Sequence, residues 1–116
     1  MAKAKPAKTD YKAIDKLLTG DVSRKKTDEA VALCKKALAE DPDDVEALTR
    51  TARAWIRQLE HETGTVLEEK REYQPALDEC GKKALEAAKR AYENEKTPDT
   101  IGWYLISYGY HSVAIG

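Results

Sequence analysis

Three stretches of this chain, Tyr11–Leu18, Val45–Ala52 and Trp103–Tyr110, read as copies of one phrase of the form W/L-x-x-L-G/A-x-x-Y. Behind the first copy Ala30, Cys34, Ala37 and Pro42 fall at the spacing of a second phrase, A-x-x-x-F-x-x-A-x-x-x-x-P, with cysteine in place of Phe, and Leu48 follows Ile14 by the roughly 34-residue period of such units. A repeat of this kind is a pair of helices that cannot bury its own apolar face. Only stacking of successive pairs makes a core. The recurrence therefore restricts the chain to an all-α architecture and predicts that function resides on surfaces between and along the pairs.

The phrases resemble the tetratricopeptide (TPR) signature, and the register can be followed through the chain. Residues 1–9, with alternating Lys and Ala, read as a disordered basic tail, and residues 10–116 as one TPR-like domain of about five helices. Asp10 suits an N-cap for a first helix carrying Tyr11, Ile14, Leu17 and Leu18 on one face, and Gly20 ends it. A second helix is predicted from Thr27 or Asp28, with Val31, Leu33, Cys34, Ala37 and Leu38 as its stripe and Asp41-Pro42 as its stop. Ala30, Cys34 and Ala37 then take the small-residue packing positions. A third helix opens at Asp43 or Asp44, carries Val45, Leu48, Ala52, Trp55, Ile56 and Leu59, and closes at Thr63-Gly64.

Residues 65–74 admit two readings: a capping box at Thr65 and Glu68 that opens a further helical turn, or a loop. Pro75 either kinks a helix or begins one. From Pro75 to about Glu95 the helical pattern is strong, with Ala84, Ala88 and Ala91 repeating the small packing positions. The separation of Trp55 from Ala84 exceeds the ordinary separation of these two repeat positions by roughly 20 residues. The second pair is therefore expected to be an elongated hairpin standing out from the stack. A fifth helix follows Thr97-Pro98-Asp99, with Trp103, Ile106, Ser107 and Tyr110 at the positions of a first helix. No partner helix follows it, so the chain is expected to be truncated on its C-terminal side. Thr100–Gly116 holds no charged side chain, and its apolar face is expected to drive self-association.

Twenty Lys+Arg against 21 Asp+Glu leave a net charge of −1, which gives no overall field for nucleic acid. No apolar stretch is long enough to span a membrane, and the basic N-terminus lacks the apolar core of a signal peptide. A cytoplasmic protein is the expectation. Cys34 and Cys80 sit on predicted apolar stripes without a metal-binding spacing and are expected to be buried and reduced. His61 and His111 are far apart in sequence, and His61 is expected on a surface rather than at a metal. No phosphate-cradling glycine loop or nucleophile elbow is present. The reading is non-enzymatic, with no catalytic residue, metal or cofactor.

Two surfaces are candidates for a partner. Projection of the first helices onto a concave groove brings Lys12, Asp15, Thr19, Glu46, Thr49, Arg53, Arg57, Ile101, Tyr104, Tyr108 and His111 to one side. There Arg53 and Arg57, one turn apart, beside Tyr104 and Tyr108, suit an acidic peptide. Against this stands the plainer reading of solvated arginines balanced by Glu46 and Glu60. The second surface is a basic tail and loop, Lys3, Lys5 and Lys8 with Arg24, Lys25 and Lys26, which suits a polyanion or serves only solubility.

The phrases Ala47-Leu48-x-Arg50-x-Ala52-Arg53-Ala54 and Ala84-Leu85-Glu86-x-Ala88-Lys89-Arg90-Ala91, the acidic run after the second, Trp103-Tyr104, and the long hairpin between them are shared with a particular group. In this order they resemble the N-terminal half of the regulator of microtubule dynamics family, over residues 43–110. The resemblance implies a TPR-like protein of the cytoskeleton and mitotic spindle, with a part in chromosome segregation. Relatives with membrane anchors bind lipid through a complete TPR domain. It implies microtubules as partner, whose acidic tubulin tails would meet the basic positions named above.

Overall fold

In a computed structural model the described residues are 10–20, 23–63 and 75–114. They form five helices: α1 (Tyr11–Leu17), α2 (Arg24–Glu40), α3 (Val45–Thr63), α4 (Pro75–Asn94) and α5 (Pro98–Ala114). The protein is all-α, and no strand occurs among the described residues.

Local chemistry sets the helix boundaries. The Asp10 carboxylate caps α1 by accepting from the Ala13 N–H at 3.0 Å, and Gly20 leaves the helix in the left-handed region at φ +78°, where a Cβ would be strained. Helix α2 begins earlier than its sequence suggests. Ser23, not Thr27, is its cap, accepting from the Lys26 N–H at 3.2 Å. Thr27 lies fully buried inside the helix and donates back to the Ser23 carbonyl at 3.0 Å. Asp44 caps α3 through the N–H groups of Glu46 and Ala47, at 3.1 and 3.3 Å. Pro75 occupies the first position of α4, where its missing N–H costs no bond. The capping-box reading of 65–74 lies outside the described residues. Thr97 caps α5 by accepting from the Thr100 N–H at 3.2 Å, and the Thr100 hydroxyl accepts in return from the Thr97 N–H at 2.9 Å.

Each helix packs on its neighbours in sequence, and α3 also touches α1 and α5, so that α3 meets all four others. Three clusters fill the seams. Ile14 of α1 and Leu18, its C-cap, meet Ala30, Val31 and Cys34 of α2 and Ala54 of α3. Leu48 and Ala52 of α3 meet Ala87, Ala88 and Ala91 of α4, flanked by Trp103 and Tyr104 of α5. Leu59 joins Leu77 and Cys80, with Trp55 and Tyr110 at the edge. In each case large side chains fill hollows left by alanine or cysteine. Burying one Leu or Ile this way contributes about 1.5–3 kcal/mol.

The lengthened second pair does not stand clear of the rest, at least as far as His61 and Asp78. The start of α2 reaches α3 there, with Thr27 Oγ1 2.9 Å from His61 Nε2 and the Gln58 amide donating to Asp28. The end of α5 reaches α4 similarly, with His111 Nε2 2.9 Å from Asp78 Oδ1.

The structure also shifts the register of α5. Counted from their caps, Asp44 and Thr97, the residues of α3 turned to α2 (Ala47, Thr51, Ala54, Gln58) correspond to Thr100, Tyr104, Ser107 and His111. All of these are buried or half-buried, and Gln58 and His111 each bind an aspartate near the start of the preceding helix. By that count the positions matching Leu48, Thr51, Ala52 and Trp55 of α3 are Ile101, Tyr104, Leu105 and Tyr108, whereas the sequence reading takes Trp103, Ile106, Ser107 and Tyr110. Bulky Trp103 and Tyr110 mimic the pattern in sequence, but they close the clusters from the side.

Candidate functional site

Along the side of α3 shared with α1 and α5 runs a chain of charged and aromatic groups. Arg50 meets Asp15 with two parallel bonds, Nε to Oδ1 at 2.9 Å and Nη2 to Oδ2 at 3.0 Å. This is the fork geometry in which guanidinium–carboxylate pairs are strongest. Arg53 Nη1 reaches the same Asp15 Oδ1 at 2.9 Å. Arg50 also donates to the Glu46 carbonyl at 3.0 Å and lies 4.7 Å from the centre of the Tyr11 ring. The Tyr11 hydroxyl donates to Asp44. On the other side, Arg53 lies 5.8 Å from the Trp103 ring. One network therefore connects all three odd-numbered helices.

Its electrostatics are self-consistent. Burial works to raise the Asp15 carboxyl, but the hydrogen bonds and charge of Arg50, joined by Arg53, prevail and hold it below the usual carboxylate range. Arg50 is held above its ordinary value: burial opposes its charge, and Asp15 and then Glu46 outweigh that. Tyr11 is pushed up to about 12, first by burial and then by its bond to Asp44.

This geometry alters the concave-groove expectation. Arg53 is occupied by Asp15, and its side chain is 26% exposed. Tyr104 is half-buried and packs against Tyr92 with ring centres 5.4 Å apart. Thr49 is buried and His111 is held by Asp78, so neither lines an open surface. Arg57 remains at the surface, paired with Glu60 at 3.1 Å, and Tyr108 is 61% exposed. The four groove residues are thus not brought together as free ligand-binding groups. Arg50, absent from the groove projection, is the network's centre. A clue lay in the sequence: Tyr11 and Asp44, like Asp15 and Arg50, stand about one repeat apart.

The basic set is also placed differently. Arg24, Lys25 and Lys26 form the exposed first turn of α2 rather than a loop, and that turn holds no acidic residue. Lys3, Lys5 and Lys8 lie outside the described residues. Three cations at the positive end of a helix dipole oppose local stability. His61 is half-buried against Thr27, which corrects its reading as a surface residue. Cys34 and Cys80 are both buried free thiols, and burial above all pushes the Cys34 thiol up. Among the described residues no group of three or more His, Cys, Asp or Glu could hold a metal ion, and no helix is long and apolar enough to cross a membrane.

Among known proteins, the family model described as "Regulator of microtubule dynamics protein 1-3" matches residues 10–116. No curated protein and no solved structure matches the chain.

Proposed function

This chain belongs to the regulator of microtubule dynamics family, and from that premise we propose that it is a non-enzymatic, TPR-like scaffold of the cytoskeleton that binds microtubules through the basic start of α2 together with its N-terminal lysines. Its place is the cytoplasm and the mitotic spindle, and its role lies in chromosome segregation. The observation that carries the contact is the first turn of α2. Arg24, Lys25 and Lys26 are exposed at a helix end where they work against folding. Sequences tend to violate a local rule where function requires it. Acidic tubulin tails are the complementary partner. The non-enzymatic reading is supported by the structural roles of the reactive side chains: both histidines are hydrogen-bonded within the helix seams and both thiols are buried.

Co-sedimentation with polymerised tubulin across a salt series tests this. Binding is expected to weaken as salt rises, and Lys25→Glu/Lys26→Glu is expected to weaken it by at least the roughly 0.2–1 kcal/mol of each exposed contact. Removal of residues 1–9 should weaken it further. Unchanged pelleting after both changes rules the mechanism out. The alternative, an adaptor taking an acidic peptide at Arg53, Arg57, Tyr104 and Tyr108, is left with Arg57 and Tyr108 as its open groups. It predicts that Arg57→Glu/Tyr108→Ala loses a peptide partner while microtubule pelleting is retained.

A further inference from the structure

Helices α2 and α4 both pack on α3, and a lysine from each reaches the same α3 side chain. Lys35 Nζ lies 5.9 Å and Lys83 Nζ 4.4 Å from the centre of the Trp55 ring. The ring is anchored: it packs against the clusters built on Ile14 and on Leu59, yet stays half-buried. Lys35 is exposed and Lys83 half-buried. Further along, Arg90 Nε of α4 braces the same side of the molecule at 2.9 Å from Asp43, in the turn after α2.

Two like charges brought to one ring are unfavourable unless something offsets them. The negative face of the indole does so in part. Among the described residues only Glu79 pairs with either ammonium group, at 3.4 Å from Lys83 Nζ, an exposed i, i+4 contact of the kind that is readily exchanged. Lys35 has the ring and, among the described residues, no acid. Both ammonium groups lie closer to the ring centre than a Debye length, about 8 Å at physiological ionic strength. A negative charge arriving over the ring is therefore attracted by both.

The surroundings select the kind of anion. A phosphate is best held by convergent donors, a row of free backbone N–H groups or an arginine fork. Here all three residues lie inside helices, and lysine is a single point charge. A glutamate side chain fits better, since its methylenes can cover indole while its carboxylate meets an ammonium group. In an extended chain residues i and i+2 share one face about 7 Å apart, a span that groups 5.9 and 4.4 Å from one ring centre can match. A nucleic-acid strand needs a run of cations along its length, and here it would meet Glu79 and Asp43 beside them.

We propose that Lys35, Trp55 and Lys83 form a binding site for a short, extended acidic polypeptide segment of the form Glu-x-Glu. Its two carboxylates take the two ammonium groups and their methylenes lie over the indole. Glu79 is the internal stand-in that an incoming carboxylate displaces from Lys83. The site is separate from the basic first turn of α2, because Lys35 lies roughly 15 Å beyond Lys25 along that helix.

The experiment titrates the whole chain, labelled with ¹⁵N, with an end-blocked hexapeptide of alternating Gly and Glu. The Trp55 indole N–H and the amides of Lys35, Trp55 and Lys83 are expected to shift saturably. Lys35→Glu should weaken binding at least fivefold and Lys83→Gln at least twofold, with unchanged helical circular dichroism spectra. Glu79→Gln, which frees Lys83, should tighten binding two- to threefold, a gain that a purely structural role for these lysines does not give. The same peptide with Gln for Glu should not bind. Absence of saturable shifts at these residues overturns the proposal. So does binding that survives Lys35→Glu but is lost in Lys25→Glu/Lys26→Glu, which would place the acidic chain at the start of α2. Tighter binding of oligothymidylate or inorganic phosphate than of the peptide would assign the site to another anion and equally overturn it.

Discussion

At Asp15 a single carboxylate serves two guanidinium groups of the neighbouring α3, and with the Tyr11–Asp44 bond it holds α1, a helix of seven residues, to that helix. Asp15→Asn should lower stability by about 1–2 kcal/mol in denaturant unfolding, a figure discounted for the open side of this pair. The folded carboxyl lies below its ordinary value, so its contribution is complete above the unfolded pKa, about 3.9. It is lost as pH falls through the folded value, and the gap between wild type and Asp15→Asn should close below about pH 4. Tyr11 has the opposite sign. Its folded pKa, raised to about 12, keeps a contribution that is whole below the ordinary tyrosine value of 10.0 and lost as pH climbs towards 12. The stability difference between wild type and Tyr11→Phe should therefore shrink over that interval. Ser107 is a further residue-scale case. Its Oγ is buried with no hydrogen-bond partner among the described residues, at a position equivalent to Ala54 on α3. Ser107→Ala should preserve the fold and raise stability by about 1 kcal/mol, read from the same unfolding curves.

Helix α2 brings folding and binding into opposition at its first turn. Ser23 caps it, but three cations follow directly at the positive end of the dipole. Lys25→Glu/Lys26→Glu should stabilise the helix by about 0.3–1 kcal/mol for each charge reversed, seen as a higher melting temperature, while weakening microtubule pelleting. A variant that is firmer and binds less separates loss of contact from loss of fold. Ser23→Ala is the converse control: it should cost about 1 kcal/mol and leave the cations in place. A fall in pelleting for Ser23→Ala as large as that for the lysine reversals would argue that the order of the helix start, rather than its charge, governs binding.

Across the whole molecule, the two thiols report on different seams. Cys34 is enclosed by α1, α2 and α3, and Cys80 by Leu59 and Leu77. Both should resist alkylation in the native state and react fully in denaturant, since burial excludes the reagent and, at Cys34, also raises the thiol pKa. Asp15→Asn weakens only the attachment of α1, so it should speed alkylation of Cys34 several-fold more than that of Cys80. Equal acceleration at both sites would mean that the molecule opens as one unit rather than helix by helix.

The sequence alone determined the helices and most of their ends, because these depend on neighbours in the chain: apolar periodicity, Asp10 and Asp44 as caps, Pro42 and Gly20 as stops. It also determined the small-residue stripes Ala30, Cys34, Ala37 and Ala84, Ala88, Ala91, since their spacing is that of a helix face. The tertiary structure decided what depends on which faces meet. Trp103 and Tyr110 satisfy the repeat phrase as well as Ile101 and Tyr108 do, and only packing against α4 separates the two registers. Arg50, Arg53 and Arg57 are alike as letters. Only the approach of α1 reserves the first two for Asp15, leaving the third at the surface with a neighbour on its own helix. Charge pairing between helices is set by distance in space, and a linear pattern carries that distance only where the repeat period happens to encode it.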